Sequence, residues 1–299
     1  MALLTSVGLN DDEAPPQRKP TWRRAIAHRS VAISGGVLFV LLIVAIFAPL
    51  LSPHDPVEQN LARRVVPPFW MEGGSTAHLL GTDHLGRDYL SRLLYGTRIS
   101  LGIGFGVALV GGLIGTTLGL LAGYFGGRVD MIISFVITTR LSLPIVLVAL
   151  AAVALGGASM QMLVMVLGLL LWDRYAVVVR AATQSLRNQE FVAAARTQGA
   201  STLYILGAEL LPNLVNKLIV VATLEVAQAI LLEAALSFLG LGVRPPTPSW
   251  GLMIAEGRDY ILFDPWLIAL PGVALCILVL AINLMGDGLR DTVSPGSRV

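Results

Sequence analysis

Long apolar stretches, separated by charged segments, form the dominant pattern along the chain. A helix needs about 20 mostly apolar residues to cross the roughly 30 Å hydrocarbon core of a membrane. The pattern therefore predicts six spanning helices, at residues 31–51, 99–127, two within 131–172, 218–242 and 265–286. The third stretch is about twice as long as one helix can use, and Gly156 and Gly157 are expected to form the turn between its two helices.

The composition supports a membrane protein and excludes two other classes. Hydrophobic types make up 55% of the chain, charged residues make up 13%, and the mean hydropathy is +0.75. A soluble domain carries about 25% charged residues, and disordered segments are poor in apolar side chains. The net charge of +2 gives no reason to expect nucleic-acid binding. Cys276 is the only cysteine, which excludes an internal disulfide and a cysteine-based zinc site.

The basic residues before the first span predict its orientation. They are Arg18, Lys19, Arg23, Arg24 and Arg29. The positive-inside rule places them in the cytoplasm, and six crossings return the other end to the same side. The first apolar run is expected to stay uncleaved, because no small-residue cleavage pattern follows it.

Five regions follow from this orientation. They are a cytoplasmic tail (1–30), the first transmembrane helix (31–51), an outer loop (52–97), a five-helix core (98–286) with a cytoplasmic loop at 184–212, and a second cytoplasmic tail (287–299).

The outer loop ends in LGTDHLGRDYLSRLLYGTRISL, which predicts a short amphipathic helix leading into the second span. Its polar side, expected to be solvated or interfacial, carries Asp83, Arg87, Asp88 and Arg92. The same loop contains His54, His78 and His84. Spacing alone does not bring these histidines together, so no metal site is predicted.

The residues that are missing exclude several enzyme classes. No histidine lies within a predicted span, so neither a Ser-His protease nor an H-E-x-x-H metalloenzyme fits the membrane region. Neither Lys19 nor Lys217, the only lysines, follows a glycine, so the chain has no G-x-x-x-x-G-K-[ST] phosphate loop. No catalytic residue is predicted.

Ionisable side chains within or near the spans are functional candidates, because charges are costly in hydrocarbon. They are Arg140, Asp173, Arg174, Glu225, Glu233 and Asp287. Glu225 and Glu233 are eight residues apart, about 80° around a helix, so they are able to face one cavity, as a proton-coupled carrier would require. The alternative places both carboxylates at subunit contacts or near the water interface.

The second span has glycine at every fourth position along one stripe, at Gly111, Gly115, Gly119 and Gly123. Small residues at this spacing allow another helix to approach closely in lipid. The stripe predicts either packing within one subunit or a contact that moves during transport.

Between the fourth and fifth predicted spans lies a segment that is too polar to cross the membrane. Glu190 to Arg196 is expected to form a short helix, Gly199 to end it, Ser201 to cap the next helix, and Pro212 to open the fifth span. Such a helix-turn-helix on the inner surface suits insertion into a groove of a soluble partner. A plain connecting loop is the alternative.

This segment resembles the EAA loop of inner-membrane permeases of ABC importers. The matching positions are Ala193-Ala194-Ala195, Gly199 and Leu211-Pro212. Ala193 stands where the family has an acidic residue, and Glu209 stands where it has an aliphatic one. Glu190, three residues before Ala193, is the expected source of the missing charge.

Longer strings narrow the resemblance to one subunit type. LGTDHLGRDYLSRLLYGTRISL, EFVAAARTQGAS and EAALSFLGLGVRPPTPSWGLMIAEGRDY look like the second permease subunit of dipeptide, oligopeptide and nickel importers. The resemblance implies an all-α, six-helix, type I ABC importer permease fold with a cytoplasmic coupling helix, in the lipid of a bacterial inner membrane. A dipeptide or oligopeptide importer is the expected function, with a nickel importer or a proton-coupled carrier as alternatives.

The same resemblance implies partners and site residues. The partners are a homologous second permease, two ATP-binding subunits or domains that hold ATP and Mg²⁺, and an extracytoplasmic binding protein, with no cofactor in this chain. ATPase coupling is expected at Glu190, Phe191, Ala193, Ala194, Ala195, Arg196, Gly199, Ala200 and Pro212.

The outer segment 242–260 has two interpretations. It is either a loop shaped for packing or an outer gate and docking surface for the binding protein. The gate residues would be Pro245, Pro246, Pro248, Trp250 and Gly251. The prolines stiffen the segment, and tryptophan suits the membrane interface.

Overall fold

A computed structural model of the protein describes residues 29–157 and 159–293. Helices dominate this part of the chain. Those of eight residues or more are α1 (Arg29–Leu51), α2 (Tyr89–Phe125), α3 (Gly127–Leu141), α4 (Ile145–Gly156), α5 (Met160–Leu170), α6 (Asp173–Leu186), α7 (Glu190–Thr197), α8 (Leu211–Phe238), α9 (Trp250–Gly257) and α10 (Trp266–Val293). The predicted all-helical fold is therefore confirmed for the described residues.

Five helical segments of the described chain are long and apolar enough to cross a membrane. They are α1, α2, the α5–α6 run (Met160–Leu186), the run from Thr202 to Phe238 that ends in α8, and α10 up to Asp291. The pair α3 and α4 supplies a sixth only if both are counted as one span, because they are bent by 86°. The predicted count of six holds on that condition.

The bend between α3 and α4 was not predicted, since one straight helix was expected before Gly156. Pro144 precedes α4 directly, and its ring removes a backbone donor and disfavours helical geometry at Leu143. The helix therefore stops at Leu141 and restarts at Ile145 in a new direction. The predicted turn at Gly157 is present, with a φ angle of +88°.

The entry to the second span also differs from the prediction. No separate amphipathic helix precedes it: residues 82–88 form turns, and α2 begins at Tyr89. The Asp88 carboxylate accepts the backbone N–H of Ser91 and so caps a helix of 37 residues. The predicted polar side is also wrong, because Asp83, Arg87 and Arg92 are 2% exposed or less.

The long helix α2 forms the centre of the fold. It packs along α6, α8, α5 and α1, while α10 lies against α8, α1 and α9. Two clusters of buried apolar side chains fill the space between these helices, one around Trp250 and Leu278 and the other around Ile103 and Leu167. A third cluster anchors α7 to the ends of α2 and α6.

Two helices begin or end at residues that differ from the predicted bounds of their spans. α8 covers Leu211–Phe238 instead of 218–242, and α10 continues to Val293, seven residues beyond the predicted end at 286. Of the predicted tails, 1–30 and 287–299, residues 1–28 and 294–299 lie outside the described residues.

Candidate functional site

The short helix α7 ends in a backbone motif that requires glycine. The N–H of Gly199 donates to the carbonyl of Arg196, and the N–H of Ala200 donates to the carbonyl of Ala195, both at 3.0 Å. This is the Schellman arrangement, in which the residue after the cap adopts left-handed geometry. Gly199 has a φ angle of +79°, and an added Cβ would meet no atom within 4 Å among the described residues other than its chain neighbours. The constraint on Gly199 is therefore conformational, with open space around it.

The two faces of α7 differ in character. Val192 and Ala195 are buried against the ends of α2 and α6. Glu190, Ala193 and Ala194 are exposed on the other face. Of the other predicted coupling residues, Arg196 is exposed, and Phe191 and Ala200 are half-buried. The exposed face is small and shallow, with one acidic side chain at the start of the helix.

The link from α7 to α8 follows the predicted local signals. The hydroxyl of Ser201 accepts the N–H of Tyr204 and caps one helical turn, Thr202–Tyr204. A π-helical segment, Ile205–Leu210, then leads directly into α8, where exposed Pro212 occupies the first turn. Because helical residues precede it directly, Pro212 removes one backbone donor from a continuous helical run. No break separates the link from the rest of the span.

The glycine stripe of α2 faces α6. A Cβ added to Gly115 would lie 2.2 Å from the carbonyl oxygen of Trp172, and one added to Gly123 would lie 2.6 Å from Cβ of Thr183. A Cβ added to Gly111 would lie 3.0 Å from a backbone oxygen just before α6, and one added to Gly119 would lie 2.8 Å from a backbone oxygen of α6. The two helices are therefore in backbone contact over the stretch that ends beside α7.

Two arginines, one within α6 and one directly after it, hold α6 against its neighbours, a role that no local sequence signal indicated. Arg187 donates to the carbonyl of Gly123 at 2.9 Å. Arg180 binds the carboxylate of Asp130 on α3, with one N–H···O distance of 2.8 Å. Asp130 lies 50 residues earlier in the chain, so no local pattern reveals this pair.

At the opposite end of α2, three buried charged side chains and the partly exposed Glu256 form a cluster. Nε of Arg87 donates to Asp83 at 2.6 Å, and a terminal nitrogen of Arg87 lies 3.2 Å from Glu256 on α9. Arg92 contacts Asp83 as well and lies 2.8 Å from Glu256. We name these four residues the outer ion cluster. Its two positive and two negative charges balance, and it joins α2 to α9.

The outer ion cluster affects the titration of its members and neighbours. Burial opposes ionisation of Asp83, but Arg92 and Arg87 hold the pKa of its carboxyl below its ordinary value. Burial lowers the pKa of the neighbouring His84, whose ring stacks on Tyr260. Glu256 was missed by the sequence analysis, because its partners lie more than 160 residues away.

Trp250 packs inside the chain. Its side chain is 1% exposed, and its indole N–H donates to the carbonyl of Leu93 at 2.9 Å, so the ring is covered by protein and does not face lipid or water. Gly251 is also buried, since an added Cβ would lie 2.6 Å from Cα of Ala234. Pro248 is buried, whereas Pro245 and Pro246 are exposed. Of the five predicted gate residues, Pro245 and Pro246 are therefore the two that are exposed for docking in this conformation.

Glu233 attaches α9 to α8. Its carboxylate is fully buried and accepts the hydroxyls of Ser237 at 2.7 Å and Ser249 at 2.9 Å. Ser249 also caps α9 by accepting the N–H of Leu252. One polar group thus fixes both the start of α9 and its position against α8.

The other intramembrane carboxylate has different partners. Glu225 lies 3.3 Å from Arg174, and Asp173 lies 3.7 Å from Arg140. Glu225 and Glu233 therefore do not share a site, contrary to the hypothesis of a common cavity. Asp287 is exposed on α10.

An apolar cleft of about 830 Å³ lies between α1, α2 and α8. Tyr175 and three threonines are its only polar side chains, and neither Glu225 nor Glu233 lines it. A cleft without a charged side chain is a poor path for a zwitterionic solute by itself. This chain alone therefore does not supply a polar route through this cleft.

Two family models match the chain. Residues 115–299 match the "Binding-protein-dependent transport system inner membrane component" family. Residues 17–68 match the "N-terminal TM domain of oligopeptide transport permease C". Together the matches include α1 and most of the fold from the middle of α2 onward.

Several curated proteins are similar over nearly the whole chain. A di/tripeptide transport system permease protein DppC from Pseudomonas aeruginosa is 46% identical over 94% of this chain and 93% of its own length. A dipeptide transport system permease protein DppC from Haemophilus influenzae is 41% identical over 87% of this chain and 89% of its own length. A glutathione transport system permease protein GsiD from Pectobacterium atrosepticum is 41% identical over 98% and 96%.

Solved structures support the fold. A chain of the MetNI methionine ABC transporter in an inward-facing conformation aligns with a TM-score of 0.56 and 21% identity, covering 68% of this chain and 97% of that one. A second crystal form of the same transporter gives a TM-score of 0.54. At this level of identity the likeness shows a shared fold.

Proposed function

The chain belongs to the family of inner-membrane components of binding-protein-dependent transport systems, as a permease subunit of an ABC transporter, and we propose that it imports short peptides. The relatives named for di/tripeptide, dipeptide and glutathione transport support this substrate class. Nickel is the alternative substrate. A proton-coupled carrier is set aside, because family membership places the chain in an ATP-driven system.

The exposed face of α7 is the observation that supports ATP-driven transport by this chain. The buried face of α7, at Val192 and Ala195, fixes the helix to this chain, so a partner is able to push or pull the fold through it. The exposed alanines leave room for a groove to close around the helix, and open space around Gly199 allows close approach. We assign this face to contact with an ATP-binding subunit.

A movement of α7 would reach two spans. It would pass to α8 through the π-helical segment and Pro212, which continue into α8 without a break. It would pass to α2 through α6, which contacts the glycine stripe. Closure of the ATP-binding subunits would shift α7 and turn the pathway from inward-facing to outward-facing. ATP achieves this only by binding one conformation better than the other.

The complete transporter that we propose contains further chains. A homologous second permease supplies the other half of the pathway, two ATP-binding subunits or domains hold ATP and Mg²⁺, and an extracytoplasmic binding protein delivers the peptide. Exposed Pro245 and Pro246 are the part of the outer segment that we assign to gating or docking of the binding protein. This chain needs no cofactor of its own in this scheme.

We propose an orientation with both tails, 1–30 and 287–299, in the cytoplasm of an inner-membrane protein. Single cysteines at exposed Arg128 and Arg244, introduced separately with Cys276→Ser, test it. A membrane-impermeant maleimide added to intact cells should label the cysteine at 244 and leave the one at 128 unlabelled until the cells are opened. The reverse pattern would overturn the orientation.

Uptake by the complete transporter in proteoliposomes tests the substrate class. Labelled dipeptide should accumulate with ATP and the binding protein present, unlabelled tripeptide should compete with it, and Ni²⁺ should not. A Glu190→Arg variant should lose uptake, whereas Glu190→Gln should retain more of it, because only the former reverses the charge. Nickel uptake without peptide uptake would overturn the peptide assignment.

A further inference from the structure

Two of the outer-loop histidines lie close together, which their spacing in the sequence did not predict. Nδ1 of His78 lies 2.9 Å from Oδ1 of Asp88, and Nδ1 of His54 lies 3.5 Å from the same oxygen. The two imidazole rings are 4.8 Å apart between their centres. One possible ligand atom from each of the three residues therefore lies within 4.8 Å of the others.

These spacings fit the coordination shell of a transition metal. Ligand atoms at about 2.0–2.1 Å from a tetrahedral Zn²⁺ are about 3.3 Å from one another. The observed 2.9 and 3.5 Å distances bracket this value. Imidazole nitrogens with one carboxylate favour Zn²⁺ and similar ions over Mg²⁺ or Ca²⁺, which prefer oxygen ligands.

Nδ1 of His78 and Oδ1 of Asp88 are hydrogen-bonded to each other at 2.9 Å, and a metal ion would replace the proton between them. The other hydrogen bonds around the three residues do not use the candidate ligand atoms. Oδ2 of Asp88 accepts the N–H and the hydroxyl of Ser91 at 2.8 and 2.6 Å, so capping of α2 uses this oxygen and Oδ1 faces the histidines. Nδ1 of His54 is buried and makes no hydrogen bond in the described part of the chain. A buried nitrogen without a partner is costly unless something else binds it.

A ligand is able to reach this site from outside. An open cavity of about 580 Å³ is lined by His54, Asp55 and Tyr95 together with residues 246–248 of the outer segment. The side chain of His54 is 38% exposed, whereas His78 and Asp88 are buried behind it. The cavity leaves space for water or another small ligand at the remaining position of the metal.

A second group in the same loop provides a contrast. Asp83, His84 and Glu256 also place possible ligand atoms within 4.8 Å of one another. There, however, the guanidinium groups of Arg87 and Arg92 already contact both carboxylates. Two fixed positive charges would repel a metal ion, so this second group is not a candidate.

We propose that His54, His78 and Asp88 bind a divalent transition-metal ion of the Zn²⁺ class. The ion would join residue 54, three residues beyond the end of α1, to the first turn of α2. It would stabilise the fold because it binds the folded chain and not the unfolded one. Metal binding does not depend on the proposed transport function, although access from outside the cell rests on the proposed orientation.

The experiment measures Zn²⁺ binding to the purified complete transporter by equilibrium dialysis and elemental analysis. Partner chains contribute their own sites, so the quantity of interest is the difference between variants. His54→Gln removes the most accessible ligand without touching the helix cap. His84→Gln is the matched control, because it removes a histidine of the same loop from the second group.

We expect the His54→Gln transporter to bind one Zn²⁺ fewer per permease, or to bind that Zn²⁺ at least about tenfold more weakly. We expect the His84→Gln transporter to bind as much Zn²⁺ as the unmodified protein, with the same affinity. We also expect Zn²⁺ to raise the melting temperature of the unmodified protein more than that of His54→Gln, with equal values in chelator. Equal Zn²⁺ binding by the unmodified protein and His54→Gln would overturn the site and leave His78 as a simple hydrogen-bond partner of Asp88. Transport itself is not the readout, so failure here is distinct from failure of the peptide proposal.

Discussion

The short helices at the two ends of α2, α9 and α7, are held in opposite ways. At one end the outer ion cluster and Trp250 join α2 to α9 through buried charges and hydrogen bonds. At the other end α7 rests on apolar side chains, ends in a glycine turn and exposes its outer face. A buried charge network has a single favourable geometry, whereas an apolar contact tolerates small shifts. The outer end is therefore expected to act as a rigid unit and the inner end as a receiver of movement.

The largest effect is expected at the outer ion cluster. Arg92→Met should lower the free energy of unfolding by about 3–5 kcal/mol, because it leaves buried Asp83 and partly exposed Glu256 with a single positive partner. Thermal unfolding of the purified transporter measures the loss.

Two controls accompany this variant. Arg92→Met combined with Glu256→Gln should recover part of the loss, since the charges balance again. Arg258→Gln, an exposed arginine of the same region, should cost less than about 1 kcal/mol. Full stability of the single Arg92→Met variant would contradict the rigid outer unit.

The next largest effect is expected in the glycine stripe. Gly115→Ala places a methyl group 2.2 Å from the carbonyl oxygen of Trp172, so α2 and α6 must separate. Such overpacking costs about 1–3 kcal/mol, measurable by thermal unfolding. Gly112→Ala is the control on the same helix, because its methyl group would lie 3.5 Å from Tyr175. Equal stability of the two variants would rule out backbone contact at Gly115.

A smaller effect is expected where α9 begins. Ser249→Ala removes the cap of α9 and one donor to Glu233, which should cost about 1 kcal/mol. Hydrogen exchange of the α9 amides should also accelerate. Ser201→Ala makes the same chemical change at an exposed cap and should cost less. If both serines matter equally, Glu233 does not fix the position of α9.

The smallest effect on stability is expected on the exposed face of α7. Ala194→Trp should change the free energy of unfolding by no more than about 0.5 kcal/mol, because its side chain points away from the core. The ATP-binding subunits should nevertheless no longer co-purify with this variant, while Ala194→Ser should retain them. Normal co-purification of Ala194→Trp would show that this face meets no partner.

Local signals in the sequence explain why the inner end was predicted well. Gly199, Ser201 and Pro212 each act within a few residues, and each occupies the predicted place in the structure. The spans were found because charge-free runs of sufficient length have few other uses.

The outer end was predicted poorly because its contacts are distant in sequence. Arg87 and Arg92 were expected in a solvated position, since their partner Glu256 follows more than 160 residues later. Trp250 has the general preference of tryptophan for the interface, yet its packing against Gly96 and Leu93 buries it. Pro144 was a visible signal for the bend after α3, and the apolar run around it was interpreted as one helix instead.

The most direct test of coupling through α7 is the number of peptides transported per ATP hydrolysed by the complete transporter in proteoliposomes. Three forms are compared: the unmodified chain, Gly199→Val and Gly199→Asn. Valine resists the left-handed backbone at position 199 and asparagine tolerates it. We expect the valine variant to stay in the complex but lose transport, and the asparagine variant to keep a substantial part of it. Normal transport per ATP by Gly199→Val would contradict coupling through α7.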